Sequence, residues 1–230
     1  MIFLLIFFIL FVWIKSLIGG TILHYEIYYT TFKVGESKIY LSKNELKAIA
    51  YTTGLGNFIY PYYAEWVTTV DVNGYPITST IFSQDRFKKR QKKLYFHPKE
   101  QKIIVEKILP QPKKKVYSIS FPVFDELSSF VYSWKLNYNS HKEYQLPLYI
   151  DGERHMANIK LIGNKTCKSL NKEELCLNLM VTLPEKSELL KRSNKVQIFL
   201  SEKDKIPLEL IGTLPLFGSL KAYLKEISYF

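Results

Sequence analysis

Apolar and polar residues alternate along most of the chain from Tyr25 onward, and this period of two predicts β-strands. The stretch "HYEIYYTTFKVGESKIYLS" contains two such runs, and Gly35 predicts a turn between them. In "YYAEWVTTVDVNGYPITSTIF", the dipeptide Asn73-Gly74 is a strong signal for a two-residue hairpin turn. The first part of the chain is therefore expected to form consecutive hairpins.

The next predicted hairpin is strongly basic. "RFKKRQKKLYF", residues 86–96, places six basic side chains in its first eight positions. Pro98 is expected in the following turn, and Ile103, Val105 and Ile108 on the returning strand. "PQPKKK", residues 110–115, is expected to be a proline-interrupted connection, too short to link two domains.

One segment departs from the period of two. In "FDELSSFVYSWKLNY", large apolar residues recur at helical spacing, and Asp125 is placed to cap the N-terminus of a helix. We expect one amphipathic helix of about ten residues there. Its apolar positions are Phe124, Leu127, Phe130, Val131 and Trp134.

Strand patterns resume after this helix, with a turn expected near Asp151-Gly152. They occur in "YQLPLYIDG", "RHMANIKLIG", "LCLNLMVTL", "KVQIFLS", "IPLELIG" and "GSLKAYLKEI". The sequence shows no internal repeat and no shift in composition that would mark a second domain. We expect residues 21–230 to form one domain, a mainly antiparallel sheet of about ten or more strands with one helix packed against it.

The first twenty residues predict export. An apolar run of thirteen residues, Ile2 to Ile14, is followed by Lys15 and then by Gly19-Gly20. A helix of that length spans roughly 20 Å, less than the roughly 30 Å hydrocarbon core of a bilayer. A signal peptide cleaved before Thr21 fits this length, and an uncleaved membrane anchor is the alternative. Both place the remaining chain in the periplasm or at a membrane face.

Composition supports the strand pattern. The chain has 17 Tyr and 15 Phe but only 10 Gly, and aromatic residues favour the half-buried surface of a sheet. The formal net charge is +11, of which Lys15 contributes one unit. The positive charge is distributed over many lysines, so it describes a solvated surface more than one local site.

Several stretches, taken in order, resemble the DUF3108 family of exported bacterial proteins. "YYTTFKVGESKIYLS" is similar to the family's opening strand pair, and "YPYYAEWVTTVDVNGYPITSTIF" to its strand, turn and proline-containing strand. "FDELSSFVYSWKLN" is similar to its Asp-x-Leu-Ser helix, and "NKVQIFLSEKDKIPLELIGTLPLFGSLKAYL" to its closing hairpin. The resemblance covers most of residues 24–230.

The resemblance implies a single antiparallel, strongly curved sheet that forms an incomplete, unclosed β-barrel, with one amphipathic helix packed against its concave face. This architecture is similar to that of the periplasmic lipoprotein carriers. It implies no particular activity, because the family has none established.

The residues that usually carry catalysis or bind metals form no recognisable motif. The four histidines, His24, His97, His141 and His155, are not spaced to share one helix or strand face. "GLGNF", residues 54–58, lacks the spacing of a phosphate-binding loop, and no GxSxG elbow or acidic dyad is present. We therefore expect no enzyme, no cofactor and no metal.

Cys167 and Cys176 flank the polar stretch "KSLNKEEL" and are the only two cysteines. In an exported chain two cysteines favour a disulfide, and two unpaired thiols are the alternative. Such a bridge would stabilise the structure without performing chemistry.

The aromatic residues allow two interpretations of the barrel interior. Large side chains fill small barrels, so the interior can be a fully packed core. An unclosed sheet can instead leave an apolar groove for a lipid, acyl chain or lipidated peptide. The candidate groove residues, chosen for bulk and apolar phase, are Trp66, Phe82, Phe124, Leu127, Phe130 and Trp134.

Nucleic acid is not an expected partner of the basic run in an exported chain. Both strand faces of this run are mostly polar, so it is expected to project as a solvated hairpin whose lysines discourage edge pairing. The alternative is contact with an anionic membrane surface. The residues concerned are Arg86, Lys88, Lys89, Arg90, Lys92 and Lys93.

The leading hypothesis is thus an exported, non-enzymatic envelope protein that binds a hydrophobic ligand or an envelope partner. The alternative is a membrane-anchored scaffold with a packed barrel and no ligand. A third hypothesis, an envelope hydrolase, requires buried polar residues to converge on a pocket. The sequence does not define the ligand, the partner or the oligomeric state.

Overall fold

The computed structural model describes residues 19–170, 172–184, 187, 195–214 and 218–230. Within these ranges the chain forms fourteen strands, two α-helices and a 3₁₀ turn at Pro98–Glu100. The helices are α1 (Gly54–Ile59) and α2 (Glu126–Trp134). The strands are β1 (Thr21–Tyr29), β2 (Phe32–Leu41), β3 (Glu45–Thr52), β4 (Tyr62–Val70), β5 (Pro76–Asp85), β6 (Lys89–His97), β7 (Lys102–Leu109), β8 (Lys113–Ser118), β9 (Glu143–Ile150), β10 (Glu153–Ser169), β11 (Lys172–Thr182), β12 (Lys195–Ser201), β13 (Pro207–Leu214) and β14 (Gly218–Tyr229).

All fourteen strands belong to one antiparallel sheet, in the order β8-β7-β6-β5-β4-β3-β2-β1-β14-β13-β12-β11-β10-β9. The first and last strands pair in the middle of the sheet, where Gly20 N donates to Phe230 O at 2.8 Å. The two edge strands, β8 and β9, are therefore the strands on either side of α2 in the sequence.

The sheet curves until these two edges approach, but within the described residues they form no ladder with each other. Phe124 lies at the opening, where its N–H and C=O pair with Pro147 O and Tyr149 N of β9, both at 2.8 Å. The side chain of Tyr149 packs into the apolar cluster that β6 and β7 form at Phe96 and Ile103. The predicted incomplete barrel is confirmed, and side chains cover its seam.

Helix α2 lies inside the barrel. Asp125 caps it, accepting a hydrogen bond from Ser128 N at 2.6 Å, as the sequence predicts. Its buried side chains Leu127, Val131 and Trp134 join a core formed by strands from both halves of the sheet. Burial of such side chains contributes about 1.5–3 kcal/mol each relative to exposure.

One predicted turn is displaced, and a second has a longer loop than expected. The turn between β1 and β2 is at residues 30–31, whereas Gly35 lies inside β2 opposite Thr52, next to a bulge in the pairing with β1. Glycine is needed there because a Cβ would approach the carbonyl oxygen of Tyr51 to 2.6 Å. The loop at Asn73-Gly74 has five residues, 71–75, and not the two expected. The Asp71 carboxylate accepts hydrogen bonds within it from Asn73 N and Tyr75 N, both at 2.9 Å.

Other predictions differ in extent. Lys113, Lys114 and Lys115 belong to β8, so the proline-interrupted connection is only residues 110–112. Arg86 and Lys88 lie in the β5–β6 turn and only the later basic residues lie on a strand. The sequence analysis also missed α1, because its six residues are too few to show a helical period.

No helix among these ranges is long and apolar enough to cross a membrane. The predicted signal peptide or anchor, residues 1–20, lies outside the described residues except for Gly19 and Gly20.

Candidate functional site

The barrel interior brings together five of the six candidate groove residues. Phe124, Leu127 and Trp134 are buried in the main core, and Trp66 and Phe130 pack against it. Phe82 does not join them. Its neighbour Ile81 pairs with Trp66, and alternation turns Phe82 to the opposite face, where its ring lies 6.1 Å from that of Tyr63.

Two small cavities adjoin these residues. One cavity of about 20 Å³ lies between Trp66, Ile81, Lys92 and the start of α2. A second, of about 70 Å³, lies between the β4–β5 loop and the side of α2 at Val131 and Tyr132. These volumes admit one and a few water molecules respectively. Five of the six side chains predicted to line a groove thus belong to the buried core or pack against it.

A buried polar cluster, which the sequence analysis missed, links α2 to the barrel wall. Trp66 Nε1 donates to Ser79 Oγ at 2.7 Å, and Thr68 Oγ1 donates to Asp125 Oδ2 at 2.6 Å. The Thr68 and Ser79 hydroxyls are 3.1 Å apart. Because Thr68 gives its single proton to the carboxylate, Ser79 must be the donor in this last contact. The three hydrogen bonds therefore form a chain that runs from Trp66 through Ser79 and Thr68 to Asp125.

This cluster holds the helix in place. Each hydroxyl is hydrogen-bonded, and the Asp125 carboxylate is shared between the cap of α2 and the wall of β4. Next to it, the buried carboxylate of Glu126 accepts a hydrogen bond from Ser187. Polar residues at inward positions of β4 and β5 are the sequence signal that could have identified the cluster. Their partner Asp125 is too distant in sequence for the pattern to name it.

No three His, Cys, Asp or Glu side chains converge on a metal-binding geometry anywhere in the described ranges. The histidines are dispersed. His24 contacts Glu36 at 3.1 Å, His97 contacts Glu100 at 3.7 Å and His155 contacts Glu153 at 3.4 Å. Each of these contacts joins side chains near the barrel surface.

The predicted disulfide is present between Cys167 of β10 and Cys176 of β11. Cys176 lies opposite Lys165 and Cys167 lies opposite Glu174, so the bridge runs diagonally across the hairpin. Both sulfurs are buried and belong to the main core. The bridge lies in the barrel wall, because Cys176 also pairs with Ser201 of β12.

The basic run occupies one end of the barrel. Arg86, Lys88, Lys89 and Arg90 are exposed at the β5–β6 turn, and Lys93 is half-buried. Lys92 differs from them, because it turns inward and lines the small cavity beside α2. The structure therefore groups four of the six predicted membrane-contact residues at the tip.

Asp85 orders this turn. Its carboxylate accepts hydrogen bonds from Phe87 N at 3.1 Å and Lys88 N at 2.8 Å, and it lies 3.7 Å from Arg90 Nη1. The backbone hydrogen bond from Phe87 is the largest of the contributions that lower the pKa of Asp85.

The solved structures that align with this chain share little sequence with it. A β-barrel-like DUF1849 protein from Brucella abortus aligns with a TM-score of 0.59 and 8% identity, over 93% of this chain and 98% of that one. The MucA/MucB complex of Pseudomonas aeruginosa gives a TM-score of 0.32 and 9% identity, over 92% of this chain and 52% of that one. A DUF1329 family protein from Desulfovibrio piger gives a TM-score of 0.26 and 8% identity, over 92% of this chain and 83% of that one.

No protein with a curated description matches the sequence. The sequence profile of DUF3108, a family described as proteins of unknown function, matches residues 24–225. The match covers nearly the whole described barrel, including both edge strands and the enclosed helix. The chain therefore belongs to the DUF3108 family.

Proposed function

We propose that this protein is a non-enzymatic module of the bacterial cell envelope that binds its partners through its outer surface. The observation that carries this proposal is the filled interior. Helix α2 occupies the concave face of the sheet with its side chains buried in the main core, and two small cavities, of about 20 and 70 Å³, adjoin it. The protein is then closer to the predicted scaffold than to a carrier with a preformed groove.

The disulfide supports an extracytoplasmic location. Disulfides form and persist in oxidising compartments, and Cys167 and Cys176 are bridged here. The apolar run at residues 2–14 is consistent with export by a signal peptide or an anchor.

The polar cluster supports a structural role over hydrolysis. A hydrolytic serine needs a base within hydrogen-bond reach and an accessible reacting centre. Ser79 is buried and bonds to Trp66 and Thr68, and the nearby carboxylate of Asp125 is engaged by Thr68 and by the start of α2. The adjoining cavity, of about 20 Å³, has no room for a substrate.

A second candidate function is a carrier that opens when α2 moves outward. The seam favours it, because within the described residues β8 and β9 share no backbone ladder and only side chains and the Phe124 bridge cover the gap. The polar cluster would then act as a latch on the helix. In this state the concave face would admit an acyl chain.

Titration with a fluorescent fatty acid separates the two candidates. We expect the parent protein to show no saturable uptake. Trp134→Ala removes a buried aromatic side chain and should lower the free energy of unfolding by about 3–5 kcal/mol, again without uptake. Phe130→Ala, next to Trp134 at a ring distance of 5.0 Å, should have a smaller effect of the same kind.

Val72→Ala is the matched control, since this apolar side chain is 89% exposed and its truncation should change neither property. Saturable fatty-acid binding by the parent, altered by Trp134→Ala but not by Val72→Ala, would contradict the scaffold function and support the carrier function.

A further inference from the structure

Helix α1 presents its apolar side chains to solvent. Phe58 is 82% exposed and Ile59 is 69% exposed, and Leu55 is also largely exposed. A surface helix normally turns such residues towards the core. The orientation of α1 therefore needs a local cause.

The cause is the contact between Gly56 and β2. A Cβ at position 56 would lie 2.0 Å from the carbonyl oxygen of Val34, so only glycine allows the helix to lie this close to the strand. Thr53 N donates to the same carbonyl at 3.0 Å and fixes the start of the helix. Because the smallest side chain faces the barrel, the three large ones face outward.

Arg86 joins α1 to the β5–β6 turn. Its Nη2 donates to Phe58 O at 3.2 Å and to Ile59 O at 3.3 Å, which satisfies carbonyls at the C-terminus of the helix. Its guanidinium also lies 5.8 Å from the centre of the Phe87 ring. Phe87 is 81% exposed, so its ring extends the apolar surface of α1 across to the neighbouring hairpin.

Basic side chains surround these apolar ones. Lys88, Lys89 and Arg90 are exposed on the same hairpin, and Lys107 and Lys113, which pair with each other on β7 and β8, extend the positive surface. Two acidic groups on these strands are engaged: Asp85 by the turn and Arg90, and Glu106 by Lys114 at 2.8 Å. Protruding aromatic residues within a positive field are the pattern of a membrane interface.

We propose that this end of the barrel docks on an anionic lipid membrane. The docking surface, called the rim below, comprises Leu55, Phe58, Ile59, Arg86, Phe87, Lys88, Lys89 and Arg90. The apolar side chains enter the boundary between headgroups and acyl chains, while the basic side chains contact lipid phosphates. Charge complementarity selects an anionic lipid surface, whose headgroup boundary the exposed apolar side chains can enter.

The rim lies at the opposite end of the barrel from Gly20, where the N-terminal segment joins. Thr21 of β1 is level with Leu41 and Tyr229, whereas α1 follows the other end of β3, at Thr52. Docking by the rim is therefore a separate contact from any anchor at residues 1–20. The inference goes beyond the proposed function, since it does not depend on what the interior admits.

Co-sedimentation with vesicles tests the proposal on the protein as isolated from its own envelope. Vesicles of equal parts phosphatidylcholine and phosphatidylglycerol are compared with pure phosphatidylcholine. The double variant Phe58→Ser with Phe87→Ser should reduce partitioning to anionic vesicles by roughly tenfold or more. Lys88→Glu with Lys89→Glu should give a comparable loss at low salt, and added salt should reduce binding of the parent.

Two control variants lie at the other end of the barrel. Val72→Ser removes an exposed apolar side chain, and Lys203→Glu reverses an exposed charge in the β12–β13 turn. Both should bind anionic vesicles as the parent does. Residues 1–20 are the same in all samples, so any binding through them does not distinguish the variants. The substituted side chains are exposed, and unchanged thermal unfolding confirms that each variant folds.

A second readout reports insertion directly. In Phe87→Trp, the emission of the new indole should shift to the blue on anionic vesicles, whereas Val72→Trp should show no shift. Equal partitioning of the rim variants and the parent overturns the proposal, as does the absence of vesicle binding by any sample. Neither result affects the fatty-acid titration, which reports on the interior.

Discussion

Lys33 joins two carboxylates on the outer face of the barrel. Its Nζ lies 2.8 Å from Glu26 Oε1 and 2.7 Å from Glu36 Oε1, and Tyr28 and Tyr51 donate to the same two carboxylates. The hydrogen bond from Lys33 is the main cause that lowers the pKa of each carboxyl group from 4.5 to about 2. Lys225 of β14 also lies 3.2 Å from Glu26 Oε2, so the network ties the paired N- and C-terminal strands of the sheet to β2.

This network predicts an acid-dependent stability. A carboxyl group with a lowered pKa stabilises the folded state above its unfolded pKa and loses that contribution as pH falls through its folded pKa. The free energy of unfolding should therefore fall between pH 4.5 and about pH 2. Lys33→Met should make the decrease shallower, as measured by denaturant unfolding across this range.

Lys43→Met is the control, because Lys43 is an exposed lysine in the β2–β3 turn. Its pH profile should match that of the parent. If Lys33→Met also matches the parent, the network does not contribute to acid stability.

Single residues also show where sequence patterns are insufficient. Trp66 lies on the inner face of the sheet, but Phe82 lies on the outer face, because its position relative to Trp66 depends on the β4–β5 register. Lys92 turns inward for the same reason, within a run whose charge predicted only exposure. The orientation of both side chains depends on strand pairing, which the sequence pattern does not define.

At the scale of elements, the β10–β11 hairpin depends on a covalent link. Cys167 and Cys176 are separated by 9 positions, and closing a loop of this size stabilises by about 2–3 kcal/mol in the chain-entropy model. Reduction should lower the free energy of unfolding by about that amount. Since both thiols are buried, labelling must be measured in denaturant: neither cysteine should react with an alkylating agent until a reductant is added.

Labelling of both cysteines in denaturant without reductant would show that the native protein carries free thiols. A sample reduced before labelling serves as the positive control, because both cysteines must then react.

The elements differ in how far the sequence predicted them. Helix α2 was predicted with its cap, because nine residues with apolar side chains at helical spacing give a clear period. Helix α1 was not, because its conformation depends on the contact of Gly56 with Val34, a tertiary contact. The sequence therefore predicted the basic residues of the rim, but it did not predict the exposed apolar residues of α1 that lie beside them.

At the scale of the whole molecule, the protein is a barrel that its own chain fills. The segment that contains α2 connects the two edge strands, β8 and β9. Its Phe124 covers the opening between them, and its helix lies in the interior. The order of family motifs predicted the barrel and the enclosed helix. It could not predict whether the interior is packed, because that depends on side-chain volumes meeting across the fold.

Native mass spectrometry of protein isolated from its own envelope can show whether the chain alone fills the interior. The account predicts a mass equal to that of the polypeptide with its disulfide, and no lipid retained in proportion to protein under gentle ionisation. Detergent washing should leave this mass unchanged. A stoichiometric acyl-chain or lipid adduct, lost only when the protein unfolds, would contradict the account.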